Sequence, residues 1–112
     1  MPEMTTYERA MQIYQVLICA AHHRETLTYP MIGGIIGLPA QALGPHLEHI
    51  QAYCIENDLP PLTVLVVKTR KGRPGSGFHT AEDVDRDRES VFTYNWFGMP
   101  PITPDTLRKM HE

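Results

Sequence analysis

TYPMIGGIIGLPAQALG, residues 28–44, decides the fold of this chain. Thr28 suits an N-cap and Pro30 suits the first turn of a helix, so the segment predicts a short second helix over about 29–36. Gly37 ends this helix. We expect the helix to bury four apolar residues, Met31, Ile32, Ile35 and Ile36.

The residues on either side of this segment predict two longer helices. A third helix reopens near Pro39, and one stripe of it is apolar, at Leu43, Leu47, Ile50 and Cys54. Pro45 lies inside that pattern, so the helix is either kinked there or starts afresh after Gly44. Upstream, apolar residues at three-four spacing predict a first helix over about 5–22.

Downstream, LTVLVV at residues 62–67 is continuously apolar and predicts a strand covered on both faces. KTRKGRPGSGF, residues 68–78, has the turn chemistry of a hairpin tip, with a partner strand returning around Phe78. One helix over about 79–97 and a short last helix capped by Thr103 follow.

Three helices followed by a β-hairpin predict an α+β fold, a winged helix-turn-helix with the hairpin as its wing. The same order of elements also fits a generic α+β domain. With 112 residues the chain is predicted to be a single domain, 1–112, with a C-terminal helical extension from about residue 80.

Composition excludes several classes of protein. No apolar run approaches the roughly 20 residues that span a bilayer, so no membrane partner is expected. The N-terminus carries two acidic residues before its first basic one, unlike a secretory signal, and the cytoplasm is the expected location. A homodimer is compatible with the sequence.

The formal net charge of −3 hides one strongly basic cluster. Four cations fall within six positions, at Lys68, Arg70, Lys71 and Arg73. They predict a loop that grips the phosphate backbone of a nucleic acid. The alternative is a solvated hairpin tip whose charges prevent edge-to-edge aggregation. A protein that coats nucleic acid over its whole surface is disfavoured by the overall acidity.

The predicted third helix offers further candidates for base contact. Gln41, His46 and His49 lie off its apolar stripe, and glutamine can bind adenine in a major groove. Exposed polar residues are also expected on any amphipathic helix. The two histidines are spaced to share a metal, but no further ligand joins them, so no metal is expected. Tyr29 could stack on a base or phosphate, or fill the core with its ring.

No motif for catalysis or cofactor binding is present. The sequence lacks a phosphate-binding loop, an HExxH motif and a defensible Ser-His-Asp arrangement, so we expect neither an enzyme nor a cofactor. Cys19 and Cys54 lie inside apolar helical patterns without metal spacing. They are predicted to be two buried, free thiols.

Residues 28–78 resemble the DNA-binding C-terminal domain of the DNA alkylguanine alkyltransferases and their catalytically inactive alkyltransferase-like relatives. The matching motifs are TYPMIGGIIG, where the family opens its helix-turn-helix with Ser/Thr-Tyr, and QALG, where it has Arg-Ala-Val-Gly. LPPLTVLVV matches a proline-marked turn and strand, and GRPGSGF is similar to the glycine-rich segment after the active site. The resemblance implies a DNA-binding scaffold.

Departures from the family concern its chemistry. Its Pro-Cys-His-Arg motif would fall within TVLVVKT, residues 63–69, which has neither cysteine nor histidine. Without a thiolate there is no nucleophile for alkyl transfer. The arginine that the family inserts into the duplex corresponds to Gln41, so base extrusion is not expected either.

These observations together predict a non-catalytic protein that binds duplex DNA, with the third helix in a groove and the basic hairpin on the backbone. The alternative is a protein-interaction module, an inhibitor, immunity or accessory protein that binds another protein. The acidic run at residues 82–89 favours this alternative, although a solvated helix face with internal charge pairs is its simplest interpretation.

Overall fold

A computed structural model describes residues 4–68 and 81–109 of the chain. Helices dominate these ranges. The elements in chain order are α1 (Thr6–His22), β1 (Leu27–Thr28), α2 (Tyr29–Ile36), α3 (Gly44–Glu56), β2 (Val66–Val67), α4 (Ala81–Thr93) and α5 (Pro104–Lys109). Three 3₁₀ turns accompany them, at Ala40–Ala42, Leu62–Leu65 and Trp96–Gly98.

The first two predicted helices are confirmed, and their caps explain where they begin and end. Thr5 and Glu8 form a capping box: Thr5 Oγ1 accepts from the Glu8 N–H at 3.1 Å, and Glu8 Oε1 accepts from the Thr5 N–H at 2.9 Å. Thr28 Oγ1 accepts from the Met31 N–H at 3.2 Å at the start of α2. Gly37 ends α2 with φ of 82°, a left-handed conformation that suits glycine.

The third helix starts afresh at Gly44, which resolves the two alternatives that Pro45 left open. Pro45 lies in the first turn of α3, where its missing N–H costs no hydrogen bond. The residues predicted to open this helix near Pro39 instead form the separate turn Ala40–Ala42.

The predicted α+β winged helix-turn-helix is wrong. The described residues are mostly helical, at 71%, and their sheet has only two strands of two residues each. Leu27 pairs with Val66 and Thr28 with Val67, in parallel. A wing is an antiparallel hairpin, whereas the pairing that β2 makes in the described residues is parallel. The predicted hairpin tip and return strand lie in 69–80, outside the described residues.

The strand predicted over 62–67 is mostly a 3₁₀ turn, Leu62–Leu65, and only its last two residues form β2. Because β1 has just two residues, it offers backbone partners to two residues only. The residues just before β2 form hydrogen bonds within their own segment instead: the Val64 N–H donates to the Pro61 carbonyl at 3.0 Å. Coverage on both faces is confirmed, since both residues of β2 are at most 2% exposed.

The core forms around α1, which packs on α3, α5, α2, α4 and the turn Leu62–Leu65. Trp96 connects the C-terminal third to α1. Its indole N–H donates to the Val91 carbonyl at 2.8 Å, and its ring packs edge-on against that of Tyr14, with 6.5 Å between centroids. The largest fully buried side chains include Ile13, Leu17, Ile32, Leu43, Ile50, Leu62, Leu65 and Leu107.

Three residues expected in the core are exposed. Met31 is 47% and Ile35 60% exposed, because α2 turns Ile32 and Gly33 inward and leaves their neighbours outside. Cys19 is also exposed, contrary to its prediction, whereas Cys54 is buried as expected.

None of the helices within residues 4–68 and 81–109 has the length and apolar composition to cross a membrane.

Candidate nucleic-acid interface

The parallel strands bring two predicted site residues to one edge of the sheet. β1 runs directly into Tyr29, the first residue of α2, and β2 runs directly into Lys68. Since Thr28 pairs with Val67, the residues that follow them leave the sheet at the same edge. The basic segment therefore begins beside the N-terminus of α2.

The first turn of α2 favours negative charge in its surroundings. The N–H groups of a first turn have no acceptor within the helix, and the helix dipole adds a partial positive charge there. In α2, Thr28 Oγ1 accepts from the Met31 N–H and Pro30 has no N–H, so the dipole is the main source of attraction for an anion. No acidic residue lies in this turn to neutralise it. Tyr29 is partly buried and packs against the core, which agrees with a core-filling role for its ring. Its stacking on a base or phosphate stays a prediction.

Lys68 differs from the other exposed cations that the structure describes. Most of those are paired within the chain: Arg24 with Glu89, Arg86 with Asp83, and both Arg108 and Lys109 with Asp105. Lys68 is exposed and makes no ion pair with any residue in 4–68 or 81–109. Its charge is therefore available to an external anion.

Gln41 lies on the turn Ala40–Ala42 between α2 and α3, rather than on the third helix itself. Its side chain is exposed. The turn is held close to α2, because the Leu38 N–H donates to the Gly33 carbonyl at 3.0 Å. Contact between Gln41 and a base stays a prediction, and it would come from a fixed turn rather than from a helix.

His46 and His49 are half-buried on α3, and each makes a contact inside the chain. The Nδ1 atom of His46 lies 3.0 Å from the Ala42 carbonyl oxygen. The ring of His49 lies 4.7 Å from that of Tyr7 on α1, measured between centroids. These contacts give both rings a structural role, and base contact by either of them stays a prediction.

Arg70, Lys71 and Arg73 lie outside the described residues. Their part in the candidate interface rests on sequence, where they follow Lys68 within five positions. The structure thus brings Tyr29 and Lys68 together and places Gln41 on a separate turn. Sequence reasoning missed the role of Thr28, whose N-cap signal was visible but whose pairing with residue 67 was not.

The acidic helix α4 is partly neutralised by cations of the same chain. Asp83 Oδ1 lies 2.5 Å from Arg86 Nη2, and Glu89 Oε2 lies 2.6 Å from Arg24 Nη2. The guanidinium of Arg24 also lies over the ring of Phe92, 5.1 Å from its centroid. These pairs agree with a solvated helix face, while the use of residues 82–89 as a contact surface stays a prediction.

Three buried titratable groups, Tyr14 on α1 and Tyr53 and Cys54 on α3, lie where these two helices pack together. Burial raises the pKa of the Tyr14 hydroxyl, and the neighbouring Tyr53, Cys54 and Tyr94 raise it further. Burial likewise raises the pKa of Tyr53 and of the Cys54 thiol. All three groups are therefore neutral at neutral pH, which is unsuited to a nucleophile.

The described residues contain no group of three or more His, Cys, Asp or Glu side chains placed to hold a metal. The resemblance to the alkyltransferases rests on the motifs of this chain alone. No family model, curated protein or solved structure matches this chain.

Proposed function

We propose that this chain binds duplex DNA through the phosphate backbone and catalyses no reaction. One observation carries the proposal: the parallel register of Thr28 with Val67, which sets the exposed Lys68 beside the start of α2. In sequence the remaining cations of the cluster follow directly, at Arg70, Lys71 and Arg73.

Phosphate suits this edge of the sheet for two physical reasons. The dipole of α2 places a partial positive charge at its start, and the first turn of the helix has no acid to compete with an anion. Lysine and arginine near phosphates release condensed counterions, which supplies most of the free energy of non-specific binding to DNA. The start of α2 and Lys68, the first cation of the basic segment, lie at one edge and combine both effects.

Duplex DNA is preferred over a protein partner because of how the charges are paired. The acids that favoured a protein-interaction module include Asp83 and Glu89, and both already face arginines of the same chain. The cation that opens the basic segment, Lys68, is not paired in this way. The motif resemblance also implies DNA as the ligand.

The non-catalytic part of the proposal rests on the state of the thiols. The position that the resemblance assigns to a reactive cysteine lies in residues 63–69, which contain none. Burial raises the pKa of Cys54, so its thiolate is scarce at neutral pH. Cys19 is exposed, but it lies on α1, outside the segment to which the resemblance assigns the reactive cysteine.

The test is a fluorescence anisotropy titration of a random-sequence duplex at two salt concentrations. We expect a Kd no tighter than about 1 μM at physiological salt. The log–log salt slope should be at most about 4, since each of four neutralised phosphates contributes roughly 0.9. Replacing the cations of the basic segment with alanine should abolish binding and leave the melting temperature nearly unchanged.

A control matched in charge removes four cations that are already paired, in the quadruple variant Arg24→Ala, Arg86→Ala, Arg108→Ala and Lys109→Ala. This variant should keep its affinity for the duplex apart from a small effect of net charge. Undiminished binding by the basic-segment variant would refute the proposal. Equal loss in both variants would show that net charge, rather than this edge of the sheet, governs binding.

A further inference from the structure

A groove of about 730 Å³ lies between α1 and the chain from Glu25 to the end of α2. Its lining includes Val16, Cys19, Leu27 and Ile35. Ile35 is 60% exposed on its rim. Met4 also lines the groove and is 46% exposed, and exposed apolar side chains grouped around a concavity are typical of a contact surface.

The two ends of this groove carry opposite charges. Arg9 lines one end and Glu25 the other. Arg9 donates from Nη1 to the Ile36 carbonyl at 2.5 Å and to Gln12 Oε1 at 3.3 Å, so its Nε and Nη2 donors remain for another acceptor. Glu25 is exposed and has no ion pair among the residues that the structure describes.

We propose that a second copy of this chain covers the groove, in a twofold-symmetric dimer. Arg9 and His23 mark its ends along α1 and are separated by about 21 Å at 1.5 Å per residue. A twofold axis near Val16, perpendicular to α1, places the grooves of the two copies face to face in opposite directions. Arg9 of each copy then meets Glu25 of the other, and each interface residue serves twice.

The apolar rim fits the same arrangement. Ile35 lies at the Arg9 end, next to Ile36, whose carbonyl Arg9 holds. The twofold rotation brings Ile35 to the Glu25 end of the other copy's groove, where Cys19 and Leu27 line the surface. The side chain would thus be buried in both halves of the dimer. Self-complementary charge is what favours a second copy over an unrelated protein, which needs no such symmetry.

This inference does not rest on DNA binding. Neither Tyr29 nor Lys68 lines the groove, so the two proposed surfaces are made by different residues. The dimer is therefore measured without DNA, and a negative result leaves the DNA proposal untouched.

Sedimentation equilibrium over a concentration series is the experiment. The wild-type chain should become mostly dimeric as its concentration rises to about 100 μM, and Ile35→Glu should raise the dimer Kd at least about tenfold. The control Ile55→Glu places the same charge on α3, where Ile55 is 70% exposed and outside the groove, and should leave the Kd unchanged. Far-UV circular dichroism confirms that each variant is folded.

Charge and proximity give two further measurements. Glu25→Lys should weaken the dimer, whereas Glu56→Lys, an exposed acid on α3, should not. A short bis-maleimide should link two chains through Cys19, which lies three positions from the proposed axis, and Cys19→Ser should abolish the link. A monomer at every concentration, or a dimer insensitive to Ile35→Glu, would overturn the inference.

Discussion

Gly33 and Gly34 are neighbours in α2, and replacing each with alanine should change stability in opposite directions. Gly34 is exposed, and a Cβ built on it meets nothing within 4 Å. Alanine loses less backbone entropy than glycine in a helix, so Gly34→Ala should stabilise the protein by about 1 kcal/mol. In a domain of this size that corresponds to a rise in Tm of about 4 °C.

Gly33 is buried, and a Cβ built on it lies 2.4 Å from the carbonyl oxygen of Leu38. This oxygen belongs to the backbone of a turn whose Leu38 N–H donates to the Gly33 carbonyl, so it cannot move aside alone. Overpacking of this kind costs roughly 1–3 kcal/mol, and a backbone displacement belongs at the upper end. After the gain in helix propensity of about 1 kcal/mol, the net loss should be about 2 kcal/mol.

Urea denaturation followed by far-UV circular dichroism measures both variants, and their free energies of unfolding should differ by about 3 kcal/mol. Because the two positions are adjacent in one helix, most effects on the unfolded state cancel between them. If Gly33→Ala proved as stable as Gly34→Ala, the close approach of α2 to the following turn would be refuted.

Three other predictions concern the core and its titratable groups. Ile50→Ala should cost about 2–5 kcal/mol and the exposed Ile55→Ala less than about 0.5, as measured by urea denaturation. Because burial raises the pKa of Tyr14 above its ordinary 10.0, its hydroxyl stays protonated in the folded chain while it ionises in the unfolded one. Stability should therefore be retained below about pH 10 and fall above it, and Tyr14→Phe should reduce the fall in alkaline melts. A thiol reagent at neutral pH should label Cys19 in the native protein and Cys54 only after denaturation.

Local signals in the sequence predicted α1 and α2 correctly because these helices carry their own caps. α3 has no side-chain cap, and its predicted start near Pro39 was wrong. Thr28 and Gly37 mark the two ends of α2 without help from the rest of the chain. The parallel pairing of β1 with β2 has no such signal, since it joins residues that are 39 positions apart, Thr28 and Val67. A run of β-branched residues predicts a strand, but its length depends on the partner, and β1 is too short to pair with more than two residues.

The errors in predicted burial have a similar cause. α2 contains no charged residue, so its apolar pattern could not indicate which side faces water. Met31 and Ile35 were assigned to the core for that reason, and their exposure comes from the packing of Ile32 and Gly33 inward. The candidate site was predicted in part: Tyr29 and Lys68 were both named, and their meeting at one edge required the register of the sheet.

Trp96 is the single tryptophan of the chain, and it joins the C-terminal third to α1. Its ring is 4% exposed, so its emission should be blue-shifted while this third is docked and should move to longer wavelength when it detaches. The chain thus contains its own optical reporter of one particular contact. Comparing tryptophan emission with circular dichroism during unfolding would reveal whether α4 and α5 leave α1 before the helices themselves melt.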